Sequence, residues 1–223
     1  MKSRHHQNTN TSALAYDGIK EMISQYQLIP GQKVTYESLS KKLNLSNTPI
    51  INALHRLEQE EFVTSVPNRG FSIREISIEE VKEAFRVREV LEMLAIEEAI
   101  KNQTPDDLRE LEKARLAHRQ IDNLTRKRLA MDAAFHLRIA QIGGNHFLAR
   151  LLKHLFEHIY LRHRTEGIGH HRIAESAKEH RNIFMALKEK NTAKAKRHLK
   201  SHIRESRKAT LHGIQEAGIS YRF

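Results

Sequence analysis

Ser46-Asn47-Thr48-Pro49-Ile50-Ile51-Asn52-Ala53-Leu54-His55-Arg56-Leu57-Glu58-Gln59-Glu60-Glu61-Phe62-Val63, followed by Pro67-Asn68-Arg69-Gly70, decides the fold of the first part of the chain. Ser46 is a residue type that caps helices, and Pro49 falls in the first turn, where a missing amide proton costs little. Ile50, Ala53, Leu54 and Leu57 recur at the helical period and predict one buried stripe. FVTSV and GFSIRE are β-prone pieces on either side of the turn PNRG, which predicts a hairpin.

Working outward, Ser12 to Gln25 predicts a helix with Leu14, Ala15, Ile19, Met22 and Ile23 inward, stopped by the turn signal Leu28-Ile29-Pro30-Gly31. Thr35 then caps YESLSKKL, with Leu39 and Leu43 on one face. Helix, helix–turn–helix and hairpin is the order of a winged helix-turn-helix, whose second paired helix enters the DNA major groove. Its outer face would present Ser46, Asn47, Thr48, Asn52, His55 and Arg56 to DNA, while Lys41, Lys42, Asn68, Arg69 and Gly70 flank it and suit backbone contacts. The other reading of these elements is a small domain whose ribbon serves protein contacts.

Residues 12–75 resemble the DNA-binding domain of the GntR family of bacterial regulators. That family carries a run such as S-R-T-P-V-R-E-A-L-x-x-L-E-x-E-G-L-V and a P-N-R-G hairpin, which the quoted stretch follows in spacing. Asn47 and Ile51 depart from it, standing where the pattern has arginines, and Glu37 stands where many members have another. An arginine bidentate to guanine supplies about 1–3 kcal/mol of base discrimination. The departures therefore predict an operator unlike the common one, or weaker binding.

Composition bounds the rest. The 223 residues, 39% hydrophobic, suffice for one large or two modest domains, and no apolar run approaches the length of a membrane span. The start, MKSRHHQNTNTS, is charged without an apolar segment behind it, so it reads as a flexible polar arm over residues 1–11 rather than a secretory signal. A cytoplasmic protein is expected. Cysteine is absent, so a metal site must use His, Asp or Glu. The net charge of +11 is uneven: residues 1–75 hold 9 Lys+Arg against 7 Asp+Glu, and the remainder hold 29 against 20. Charge alone is weak evidence for DNA binding by the first part.

From Ser77 onward the chain predicts six helices in an antiparallel bundle, with no strand signal. Ser77 caps the first, with Glu79 and Glu80 in its opening turn. Thr104-Pro105 opens the second, to about Ile121, and the third ends at Gly143-Gly144. Asn145 caps the fourth, the break TEGIGHHR precedes the fifth (about Arg172 to Glu189), and Thr192 opens the last, to about Ala217.

The third helix, LAMDAAFHLRIAQI, places Asp132 and His136 four residues apart on an apolar face with Leu129, Ala133 and Ala140. Buried polar groups need partners. His180 sits within the stripe Ile173, Ala177, Phe184 and Leu187, and His202 within Ala195, Leu199, Ser206 and Ala209. His198 falls on a charged face and is a weaker candidate, and His154/His158 reads as a solvent-side pair. Three imidazoles and a carboxylate suit a divalent metal, with Zn, Ni and Mn foremost. Arg88 shares a stripe with Ala84, Leu91 and Ala95; it forms an ion pair with Glu92 or Asp132, or clamps a carboxylate ligand.

Residues 78–217 resemble the FCD domain, the effector-binding bundle of the FadR branch of the same family, in its six-helix, VanR-like form. The matching residues are Arg88-Glu89-Val90-Leu91-Glu92, Asp132 with His136, Glu179-His180, and His202. The resemblance implies a homodimer, a bound metal at Asp132, His136, His180 and His202, and a small organic acid as effector. The function expected is a DNA-binding transcription regulator, with repression as the expected sense, and not an enzyme. The alternatives are a metal-stabilised scaffold or a metalloenzyme with a degenerate DNA-binding head.

Overall fold

A computed structural model describes residues 2–67, 70–119, 125–162 and 170–216. They form two compact units: residues up to Glu75 with Leu161 and Arg162, and the remainder from Ile76 onward.

The first unit is a winged helix-turn-helix. Helix α1 (Lys2–Ser24) packs along α3 (Asn47–Gln59), and α2 (Tyr36–Leu43) precedes α3 across a tight turn. Thr35 caps α2 by accepting from the Ser38 amide at 3.2 Å, and Asn44 ends it in the left-handed region (φ 52°), which asparagine tolerates. Ile50, Leu54 and Leu57 are fully buried against Ile19, Leu39 and Phe62.

Three details differ from expectation. The polar arm over residues 1–11 is not separate, because α1 runs back to Lys2; that stretch has neither Pro nor Gly to stop a helix. Ser46 occupies the N-cap of α3 with extended backbone, yet its side chain makes no cap hydrogen bond. The wing has a third strand: β1 (Lys33–Val34) pairs antiparallel with β3 (Gly70–Ile73), which pairs with β2 (Val63–Val66), in the order β1-β3-β2. Gly70 is required there, since its φ is +83° and a Cβ would lie 2.6 Å from the Val34 carbonyl oxygen.

The second unit is a bundle of α4 (Ile78–Asn102), α5 (Pro105–Arg119), α6 (Thr125–Ile142), α7 (His146–Leu161), α8 (His170–Lys188) and α9 (Thr192–Glu216). Ser77 and Glu80 make a reciprocal capping box that starts α4, and Asn145 accepts from the Leu148 amide at 3.0 Å to start α7. Helix α4 packs against α6 and α9, α8 against α9, and α5 against α6 and α8. At Gly143 a Cβ would meet the Glu98 side chain at 2.9 Å, so glycine lets α4 approach the α6–α7 corner. The expected limits at Ile121 and Ala217, and most of the TEGIGHHR break, lie outside the described residues.

Candidate metal centre and DNA-facing surface

The bundle core is not uniformly apolar. Arg88 and Glu92 from α4, Asp132 and His136 from α6, Ser176 and His180 from α8, and His202 from α9 are all buried. One ligand atom each from Asp132, His136, His180 and His202 lies within 4.8 Å of the other three. His180 Nε2 is 3.1 Å from Asp132 Oδ1, His202 Nε2 is 3.7 Å from the same oxygen, and His136 Nε2 is 3.9 Å from Oδ2. His136 Nε2 and His202 Nε2 stand 3.0 Å apart. Phe135 stacks on His180 with centroids 4.3 Å apart and fixes the plane of that ring.

The outer nitrogens explain the inner ones. His136 Nδ1 bonds Glu92 Oε2, and His202 Nδ1 bonds Glu179 Oε2 at 2.7 Å. A carboxylate accepts only, so each Nδ1 carries the proton and each Nε2 offers its lone pair inward. Burial pushes His180 well below the ordinary imidazole range and lowers His202 as well, despite the opposing pull of Asp132 and Glu179. Burial opposes the charged form of Asp132, but the His180 hydrogen bond and the surrounding imidazoles hold it well below the usual carboxylate range. Lowered imidazoles at His180 and His202 beside an ionised Asp132 are protonation states that suit a divalent metal. Two inward lone pairs at 3.0 Å repel unless positive charge lies between them. The donor set fits a metal ion.

Arg88 sits directly behind Asp132. Its Nε donates to Glu92 at 2.5 Å, its Nη1 to Tyr160 Oη at 3.0 Å, and its Nη2 lies 3.7 Å from Asp132 Oδ2 with no hydrogen bond. Tyr160 in turn donates to Asp132 Oδ2 at 2.8 Å. Burial works against the Glu92 charge, yet His136 and Arg88 bring its pKa down to about 2. Burial likewise opposes the guanidinium, and Tyr160, Glu92 and Asp132 overcome it. The ion pair with Glu92 is therefore formed, with a second carboxylate close by.

The DNA-facing surface is simpler. Ser46, Asn47, Thr48, Asn52, His55 and Arg56 are exposed on α3, and Lys41 and Lys42 are exposed at the end of α2. Arg56 lies along the surface of the head: its Nε donates to Glu60 at 3.0 Å and its guanidinium lies 3.8 Å above the Tyr16 ring. His55 meets Phe71 edge-on. Asn68 and Arg69 lie outside the described residues, and Gly70 has the backbone role given above.

The FCD domain family matches residues 83–205, and the bacterial regulatory proteins of the gntR family match residues 11–73. The chain is a GntR-family regulator with an FCD domain. This GntR-family chain is 29% identical over 204 residues to the uncharacterized HTH-type transcriptional regulator YdhC of Bacillus subtilis (strain 168), covering 90% of this chain and 91% of that protein. It is 26% identical over 177 residues to the HTH-type transcriptional regulator McbR of Escherichia coli (strain K12), covering 78% and 80%. The solved E. coli McbR/YncC structure has the same fold, with a TM-score of 0.76 at 24% identity over 93% of this chain and 98% of that one. Family and relatives are DNA-binding transcription regulators rather than enzymes.

The sequence left out four contributors to the site: Tyr160, Ser176, Arg172 and the positioning contact of Glu179. Ser176 donates to Asp132 Oδ1 at 3.4 Å, and Arg172 Nη1 donates to Glu179 Oε2 at 2.8 Å. Glu179, given in the sequence analysis only as part of the Glu179-His180 match, grips His202 across the α8–α9 contact. The seven-residue step from Arg172 to Glu179, two helical turns on one face, was the available signal.

Proposed function

We propose that this regulator senses a small organic acid at a divalent metal held by Asp132, His136, His180 and His202, and that occupancy of this site changes operator binding. The observation that carries the reading is the convergence of four buried ligand atoms within 4.8 Å. A bound divalent ion, Zn, Ni or Mn in preference, would supply positive charge and open coordination positions for carboxylate oxygens. Arg88 is the clamp for such an acid, because its Nη2 is buried without a hydrogen bond while its charge lies beside Asp132. Coupling to DNA requires that the acid bind the DNA-competent and DNA-released states with different affinity.

At the operator, α3 enters the major groove with Ser46, Asn47, Thr48, Asn52 and His55 toward base edges, while Lys41, Lys42, Asn68 and Arg69 contact phosphates. Arg56 is a weaker base reader than its position suggests, since Glu60 and Tyr16 already hold it. The protein acts as a homodimeric repressor in the cytoplasm, where its operator lies. A second copy is supported by outward apolar stripes on two helices: Val87, Val90 and Leu94 on α4, and Phe147 and Leu151 on α7. Val90 and Phe147 are 69% and 64% exposed, which a solvated helix face rarely tolerates together with such neighbours. Among the described residues no helix is long and apolar enough to cross a membrane.

The test is a thermal-shift screen of metal-loaded protein with mono- and dicarboxylates, followed by titration of a selected operator with the acid that responds. An acid that raises the melting temperature and changes operator affinity supports the reading. If no acid shifts melting, the bundle is a metal-stabilised scaffold.

A further inference from the structure

Two of the three imidazoles at the centre are held from behind by a carboxylate that is itself held by an arginine. On one side the chain of contacts runs Arg88 Nε to Glu92 at 2.5 Å, then Glu92 Oε2 to His136 Nδ1. On the other it runs Arg172 Nη1 to Glu179 Oε2 at 2.8 Å, then the same oxygen to His202 Nδ1 at 2.7 Å. Arg172 is anchored in turn by Ser206 Oγ at 2.8 Å. The two relays use different helices, α4 to α6 and α8 to α9, and different arginines, so each is a separate construction.

We infer that Glu92 and Glu179 are positioning residues for the metal: each accepts the Nδ1–H hydrogen bond of its histidine and so aims the Nε2 lone pair at the ion. The inference rests on the proposed metal site. The chemistry is general. An imidazole that donates to a carboxylate is fixed in tautomer and ring angle and becomes a more basic ligand, and losing such a partner lowers metal affinity about 10- to 100-fold. Each arginine hydrogen-bonds its carboxylate and so fixes where that carboxylate lies.

The relays differ in burial, and that difference selects the test. Glu92 is 3% exposed between Arg88 and His136, so removing it strands a guanidinium in the core. Glu179 is 24% exposed, and solvent can compensate Arg172 when it is changed. Glu179 is also on α8 beside His180 in sequence, but its carboxylate serves the histidine of the next helix.

The experiment titrates cobalt(II) into metal-free full-length protein and reads affinity and visible absorption. Wild type is compared with Glu179→Gln, Glu179→Ala and the control Glu205→Gln, which removes a half-exposed carboxylate that pairs, among the described residues, with Arg204 and Lys208. Glu179→Ala should bind cobalt about 10- to 100-fold more weakly with a shifted absorption band. Glu179→Gln, which retains an acceptor oxygen without charge, should fall between it and wild type. Glu205→Gln should match wild type, and metal-free Glu179→Gln should melt as wild type does. Wild-type affinity and an unshifted band in both Glu179 variants overturn the inference, as does lower metal-free melting with unchanged cobalt affinity. Failure of wild type itself to bind cobalt overturns the metal reading, a result distinct from either.

Discussion

The two units of this chain put their chemistry in opposite places. Between residues 11 and 75 every buried described side chain is apolar or aromatic, and the polar groups of α3 face outward. In the bundle, Arg88, Glu92, Asp132, His136, His180 and His202 occupy the interior itself. A head that reads DNA needs a rigid core and a free surface. A bundle that encloses a small ligand, as proposed above, would need its polar groups inside, where an unbalanced charge costs several kcal/mol and a bound ion would be correspondingly effective. Surface mutations in the head should therefore change function without stability, while mutations of the bundle's interior polar groups should change both.

The largest expected effect breaks the interior charge balance. Arg88→Met leaves Glu92 and Asp132 without their shared guanidinium and should destabilise the bundle by about 3–5 kcal/mol, read by chemical denaturation. Next comes the head's own core: Leu54→Ala, at a fully buried position, should cost about 2–5 kcal/mol. Operator binding should fall with it while the bundle still binds metal. If metal binding is lost as well, the two units do not separate in the way described.

A smaller effect follows metal removal. Saturation at a hundred times Kd should stabilise the folded bundle by about 2.7 kcal/mol, and chelation should remove that increment without altering the head's transition. At the DNA surface, Asn47→Arg restores a residue type the family pattern carries, on an exposed position. It should change stability by no more than about 0.5 kcal/mol. It should also raise affinity for a guanine-containing site by about 1–3 kcal/mol, measured by operator titration.

The smallest expected effect is a pH dependence confined to the head. Burial opposes the Glu60 charge, but hydrogen bonds from Tyr16 and Arg56 lower its pKa below the ordinary value of 4.5. A lowered folded pKa means that its contribution is complete above the unfolded value and disappears as pH falls through the folded one. The head should thus lose a small increment of stability on acidification below the ordinary carboxylate range, and Glu60→Gln should flatten that slope.

What the sequence revealed follows the same division. Helix positions were legible because caps such as Thr35, Ser77 and Asn145 are local signals, and so were the stripes that carry Asp132, His136, His180 and His202. Strand β1 was not, because Lys33–Val34 is too short to show a period and exists only through pairing with Ser72 and Phe71. The relay contacts were not legible either. Glu92 meets His136 from 44 residues away and Tyr160 meets Asp132 from 28, and only packing sets those encounters. Arg56 shows the limit on the head: its spacing on α3 predicts a DNA contact, while Tyr16 on another helix draws it aside.

The proposed sensing depends on metal at the bundle centre. Elemental analysis of metal-reconstituted protein after desalting tests it most directly, with wild type, His180→Ala and His202→Ala measured together. Four convergent ligands predict about one divalent ion per wild-type chain and loss of most of it in each variant. Equal metal content in wild type and both variants would contradict the ligand set and the sensor built upon it.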